Sequence, residues 1–137
     1  MDSAYFANGK VYAWEETFAV VKALRPSSGQ AKLVEGAFAV IQDKNETTVV
    51  IEQSRVGEHQ NDILEASNDW NIITFDMLLS LNMVGFIAHV TSALAKEGVD
   101  VLTFSAYSTE HVLVQSNDLA KALGVLEHLG CKISSNP

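Results

Sequence analysis

From residue 71 onward the apolar positions switch from a period of two to a period near 3.6, and then do so again. That double switch constrains the fold more than any other feature of the chain. Ile73, Phe75, Met77 and Leu79 lie on one side of an extended segment over residues 71 to 79, with Thr74 and Asp76 on the other. Phe86, Val90, Ala93 and Leu94, widened by Ile87, form a helical stripe from Val84 to about Glu97, and Gly98 suits the stop. Asp100 to Ser108 alternates again, with Leu102, Phe104 and Ala106 opposing Val101, Thr103, Ser105 and Tyr107. A turn at Ser108-Thr109-Glu110 leads into Val112-Leu113-Val114 as the hairpin partner. Ser116 or Asn117 then caps a helix with the stripe Leu119, Ala122, Leu123, Leu126 and Leu129, and Gly130 ends it. Cys131 to Ser134 supplies a last short strand.

The order is β-α-β-β-α-β, which predicts an α+β, ferredoxin-like fold: one antiparallel sheet with both helices on one face. A domain of this size buries only about 60% of the surface its unfolded chain exposes, so a second half packed alongside helps. The first half is poorer in helix. Thr17 to Leu24 predicts a strand, Arg25-Pro26-Ser27-Ser28-Gly29 a break, and Ala31 to Gly36 one helical turn. Ala37 to Gln42 and Thr47 to Gln53 predict strands around Asp43-Lys44-Asn45-Glu46, and Arg55 to Ser67 predicts a weakly patterned helix. Phe38 to Gln53 overlays Leu102 to Asn117 at an offset of 64, which sets Glu46 on Glu110. The expected organisation is two tandem repeats, residues 1–68 with the first repeat degenerate and residues 69–137, joined at Ser67-Asn68-Asp69.

Charge and cysteine content exclude several roles. Nine basic against 17 acidic side chains leave a formal charge of −8, and the bases are scattered singly, so neither nucleic acid nor an anionic membrane is an expected partner. The apolar stretch Val84 to Ala95 is interrupted by His89, Thr91 and Ser92 and falls short of the roughly 20 residues that span a bilayer. Met1 to Phe6 lacks the basic start and apolar run of a secretory signal, and a lone Cys131 makes no internal disulfide. The expected compartment is the cytoplasm.

Reactive constellations are equally sparse. His59, His89, His111 and His128 have no metal-ligand spacing, and no glycine-rich phosphate loop is present, so no cofactor is expected. His128 and Cys131 are three apart across Gly130 without an orienting acid, which favours packing over a nucleophilic pair. Glu15 and Glu16 are adjacent and point different ways. Nothing in the pattern demands an enzyme.

The segments Val84-Gly85-Phe86-Ile87-Ala88, Ala93 to Val99 and Phe104 to Val114 resemble an ACT domain. More narrowly, the chain resembles small bacterial proteins built from two tandem ACT domains, a group related to aspartokinase regulatory domains and cytosolic arginine sensors. The resemblance covers residues 70 to 130, and the Glu46-Thr47-Thr48-Val49-Val50 segment fits a degenerate first repeat. It implies a non-catalytic regulatory protein, a homodimer, with a small-molecule ligand such as an amino acid at an interface between ACT units. The implied ligand residues are Met83, Val84, Gly85, Phe86 and Ile87 at the strand-to-helix turn, and Ser105, Tyr107, Ser108, Thr109 and Glu110 at the neighbouring hairpin. The free N–H groups of the first helical turn suit a carboxylate, and Glu110 suits an amino group or a basic side chain. Gly85 also fits simple close packing, Ser105, Tyr107 and Ser108 the solvated side of a strand, and Glu110 an ordinary turn acid. The first half has no glycine turn matching Gly85, so no second equivalent site is expected. The alternative is a dimerisation or protein-interaction module with no ligand, using unpaired sheet edges.

Overall fold

The computed structural model describes residues 9–24, 31–77 and 85–134. In chain order the elements are β1 (Lys10–Ala13), β2 (Phe18–Ala23), α1 (Ala31–Val34), β3 (Ala39–Gln42), β4 (Thr47–Glu52), β5 (Ile63–Asp76), α2 (Phe86–Lys96), β6 (Val101–Ser105), β7 (Glu110–Gln115), α3 (Leu119–His128) and β8 (Lys132–Ser134). The chain forms two units: one joins the residues up to Glu15 to those from Asn71 onward, and the other runs from Glu16 to Trp70. The expected α+β class holds, with largely antiparallel strand pairing.

In the 16–70 unit the strands follow the order β3-β4-β2-β5. Alternate residues of two central strands, Ala19, Val21 and Ala23 with Val49 and Ile51, share a buried face, and Leu33 of α1 closes onto it. The helix expected from Arg55 to Ser67 is absent. Gln53–Arg55 and Gly57–Asp62 form short 3-10 turns, and β5 begins at Ile63. The stripe of Val56, Ile63 and Leu64 is too thin to hold a helix on a core; Leu64 is itself exposed. The peptides from Ile63 to Trp70 instead enter the ladder with β2. The segment Ser67-Asn68-Asp69, expected to be a linker, thus lies inside β5, where the register to β2 shifts between Phe18 and Val20. Asp69 there takes φ 67, a left-handed conformation rare without glycine. Gln53 clamps it: Asp69 N donates to Oε1 at 2.6 Å and Gln53 Nε2 donates to Asp69 Oδ1 at 3.1 Å.

In the other unit β6 pairs with β7, β7 with β5, β5 antiparallel with β1, and β1 parallel with β8. A βαββαβ chain by itself sets its last strand beside its first; here Lys10–Ala13 takes that place, with Val11 opposite both Phe75 and Ile133. Both helices pack on one face: Phe86, Val90 and Leu94 of α2 and Ala122 and Leu126 of α3 bury against Val11, Ile73, Phe75, Val112 and Val114. Each helix ends as its glycine predicts. Gly98 N bonds Ala95 O and Val99 N bonds Leu94 O, and Gly130 and Cys131 repeat the pattern on Glu127 and Leu126.

The two hairpins correct the expected repeat alignment. Gln42 pairs with Thr47 across Asp43 to Glu46, and Ser105 pairs with Glu110 across Ala106 to Thr109. Thr47, not Glu46, is therefore the counterpart of Glu110, one residue away from the sequence offset of 64.

Candidate functional site

The described residues of the implied site divide between the start of α2 and the β6–β7 hairpin. Gly85, at φ 83, is the residue before α2, and its carbonyl accepts His89 N at 2.9 Å, the first bond of the helix. A Cβ built there meets nothing within 4 Å among the described residues, and the left-handed backbone is what calls for glycine. Phe86 is only 3% exposed and meets Phe75 edge-on, with ring centroids 5.4 Å apart. That contact pins the start of α2 over the last turns of β5. Ile87 is partly buried against the same core. Met83 and Val84 lie outside the described residues.

The second group arrives through β7. Thr74 of β5 lies 2.8 Å from His111, so the beginning of β7 stands beside the end of β5 that carries Phe75. Glu110 and Ser105, which face each other across the hairpin, share the helix-covered side with Val112 and Val114, because residues two apart on a strand point the same way. The start of α2 and Glu110 are thus brought to one end of one face. Glu110 is half-buried, and its Oε2 is inaccessible and without a hydrogen-bond partner among the described residues. A buried carboxylate oxygen without a donor carries a desolvation cost of about 1–3 kcal/mol or more. Tyr107 is 82% exposed and Ser108 is exposed at the hairpin tip, away from Glu110. Thr109 is half-buried; its carbonyl closes the turn onto Ala106 N at 2.9 Å and its hydroxyl reaches His111 Nε2 at 3.1 Å.

His111 was not singled out for this site by sequence, since one histidine in a strand carries no spacing signal. Burial lowers its pKa below the usual histidine value, keeping the ring neutral. Cys131 is buried and its thiol is pushed up to about 11 by desolvation, which removes the thiolate a nucleophile needs. A separate groove of about 470 Å³ lies between α2 and α3, and it brings His89, Lys96 and Glu97 together with Gly124 and His128. Among the described residues no group of three histidine, cysteine or acidic side chains is placed to hold a metal ion, and no helix is long and apolar enough to cross a membrane.

A sheet of this strand order with two helices on one face defines a ferredoxin-like unit. Residues 65–128 match the ACT domain family. No curated protein matches the chain in sequence. Among solved structures it is similar to protein Atu0741 of Agrobacterium tumefaciens, at 19% identity and a TM-score of 0.79 over 95% of each chain. VC0802 of Vibrio cholerae, described as a possible transport protein of unknown function, is similar at 18% identity and a TM-score of 0.77, over 93% of this chain and 94% of that one. The regulatory subunit of aspartate kinase from Thermus thermophilus follows at 13% identity and 0.67, over 90% and 97%. These likenesses establish a shared fold.

Proposed function

We propose that this chain is a non-catalytic regulatory protein that binds an amino acid between the start of α2 and the start of β7. The observation that carries the reading is Glu110, whose buried Oε2 has no donor among the described residues, at the end of the helix-covered face where α2 begins. A ligand with a cationic group supplies that donor, and its carboxylate meets the first turn of α2. The match to the ACT domain family and the likeness to a regulatory subunit of aspartate kinase support a sensing role over a chemical one. Gly85, Phe86, Ile87 and Glu110 form the heart of the site, with Ser105 and Thr109 at its edge. A cytoplasmic homodimer with two tandem ACT repeats, and with the ligand at an interface between ACT units, is the arrangement we favour.

A thermal-shift screen of the common amino acids tests this. Binding to the folded state adds RT ln(1 + [L]/Kd), about 2.7 kcal/mol at a hundredfold excess over Kd. L-Arginine and L-lysine are expected to raise Tm most, and Glu110→Gln to remove the rise. No shift with any amino acid at millimolar concentration would sink the proposal.

A second reading, association without ligand, draws on β3. This strand ends the order β3-β4-β2-β5 and exposes Val40 and Ile41, which suits pairing with a second copy. Sedimentation showing a tight dimer indifferent to amino acids would favour it.

A further inference from the structure

A line of hydrogen bonds ties the β6–β7 turn into the sheet from the side opposite the helices. Trp14 Nε1 donates to Thr74 Oγ1 at 2.8 Å, that oxygen lies 2.8 Å from His111 Nδ1, and His111 Nε2 lies 3.1 Å from Thr109 Oγ1. Thr74 is 1% exposed and His111 8%, so water does not substitute along this line. A neutral imidazole has one donor and one acceptor nitrogen, and either tautomer serves both threonines. An imidazolium has two donors and no acceptor. The hydroxyl proton that the ring accepted then loses its place, and the new charge sits among Trp14, Thr74 and Phe104, the residue opposite His111 on β6.

The titratable side chains sharing this face among the described residues are Asp76 on β5, Lys10 and Tyr12 opposite Asp76 and Thr74 on β1, and Lys132 opposite Lys10 on β8. Asp76 is engaged by Lys10 Nζ at 3.8 Å. Glu110, next to His111 on β7, points to the other face. The charged ring therefore reaches compensation by opening toward water at Thr109, the half-buried end of the line.

We propose that His111 is a positioning residue for Glu110, and that its protonation releases the β6–β7 turn so that the site is assembled at neutral pH and slackens in mild acid. This regulation rests on the reading of Glu110 as a ligand contact. Thr109 is the joint: one side of it is bonded to His111, and its peptide leads directly to Glu110. The lowered pKa of His111 is consistent with a ring held neutral while the line is intact.

The test uses nitrogen NMR on the intact, ligand-free chain from about pH 7.5 to about 4.5, a window centred on histidine titration. The amide signals of Thr109 and Glu110 are expected to shift with the same midpoint as the His111 ring, and to lose that step in His111→Asn. Signals that stay fixed while the ring titrates, or that move equally in the variant, overturn the proposal. Calorimetry with L-arginine gives the second readout. Affinity is expected to fall about tenfold across the same window in the parent and by less than about twofold in His111→Asn, tenfold being the scale of one lost hydrogen bond. A pH-independent affinity overturns the proposal and leaves the Glu110 site standing. Absence of arginine and lysine binding at neutral pH removes the Glu110 reading instead, and the amide titration still decides whether His111 controls the turn.

Discussion

The hairpins β3–β4 and β6–β7 close in the same way and are held in opposite ways. Each turn has a closing bond from its first residue to its last, Asp43 N to Glu46 O at 3.0 Å and Ala106 N to Thr109 O at 2.9 Å. In the first, Asp43 does the rest locally: Oδ1 accepts Asn45 N and Glu46 N, each at 2.7 Å, on the exposed surface. In the second, alanine stands in the place of Asp43, and the turn is held through Thr109 and His111 to Thr74 and Trp14. A turn stitched by its own side chain is indifferent to events elsewhere. A turn hung on a buried line across three strands moves when that line changes. The acids differ as well: Glu46 meets Lys22 Nζ at 3.7 Å in the open, whereas Glu110 keeps a buried oxygen without a donor among the described residues.

The strongest way to break this contrast is Thr74→Val, which removes the hydroxyl that Trp14 and His111 share. The expected loss is about 2 kcal/mol by urea denaturation, with faster amide exchange at Thr109 and Glu110 and none of that increase at Asn45 or Glu46. Equal loosening of both turns would mean they are held alike after all.

Titration separates them next. The folded pKa of His111 is lowered, so the unfolded chain takes up the proton first as pH falls. Stability is then full above about pH 6.5 and declines below it, by up to about 1.4 kcal/mol per pH unit. The pKa of Asp43 is also lowered, chiefly by the backbone N–H of Glu46 and then of Asn45. Its contribution is present above the ordinary carboxylate range and is lost as pH falls through the lowered value. Denaturation midpoints measured against pH should therefore show two windows, the upper removed by His111→Asn and the lower by Asp43→Asn.

Glu110→Gln is expected to stabilise the ligand-free protein by about 1 kcal/mol, because it discharges a half-buried carboxylate, while ending the amino-acid thermal shift. At Glu46, the same substitution should change stability by less than about 0.5 kcal/mol, since the pair it breaks is exposed. A destabilised Glu110→Gln would point to a donor on Glu110 and weaken the case for a ligand there.

How much of this was legible in sequence varies with how far each partner lies along the chain. The stripes of α2 and α3 are internal to ten or eleven residues, and both helices appear close to where Phe86 to Leu94 and Leu119 to Leu129 place them. Val112 to Val114 likewise reads as a strand from its own composition. At Arg55 to Ser67 the local pattern pointed to a helix, and the ladder from Phe18 to Ala23 overruled it. For the site, Gly85 and Glu110 were visible as residue types beside a strand-to-helix turn and a hairpin. His111 was not, because its importance lies in Thr74 and Trp14, which are 37 residues away on β5 and farther still just after β1.

Sequence alone determined the βαββαβ order of the second half, the glycine-terminated helices and the acid at the head of β7. Those features depend on side-chain period and backbone conformation, which each segment carries within itself. Tertiary structure decided that Lys10–Ala13 joins that sheet, that β5 runs through the expected linker, that Thr47 rather than Glu46 matches Glu110, and that a neutral histidine stands behind the candidate site. Strand pairing and buried hydrogen bonds are satisfied by whichever partner the folded chain brings within reach, and that choice is made in space.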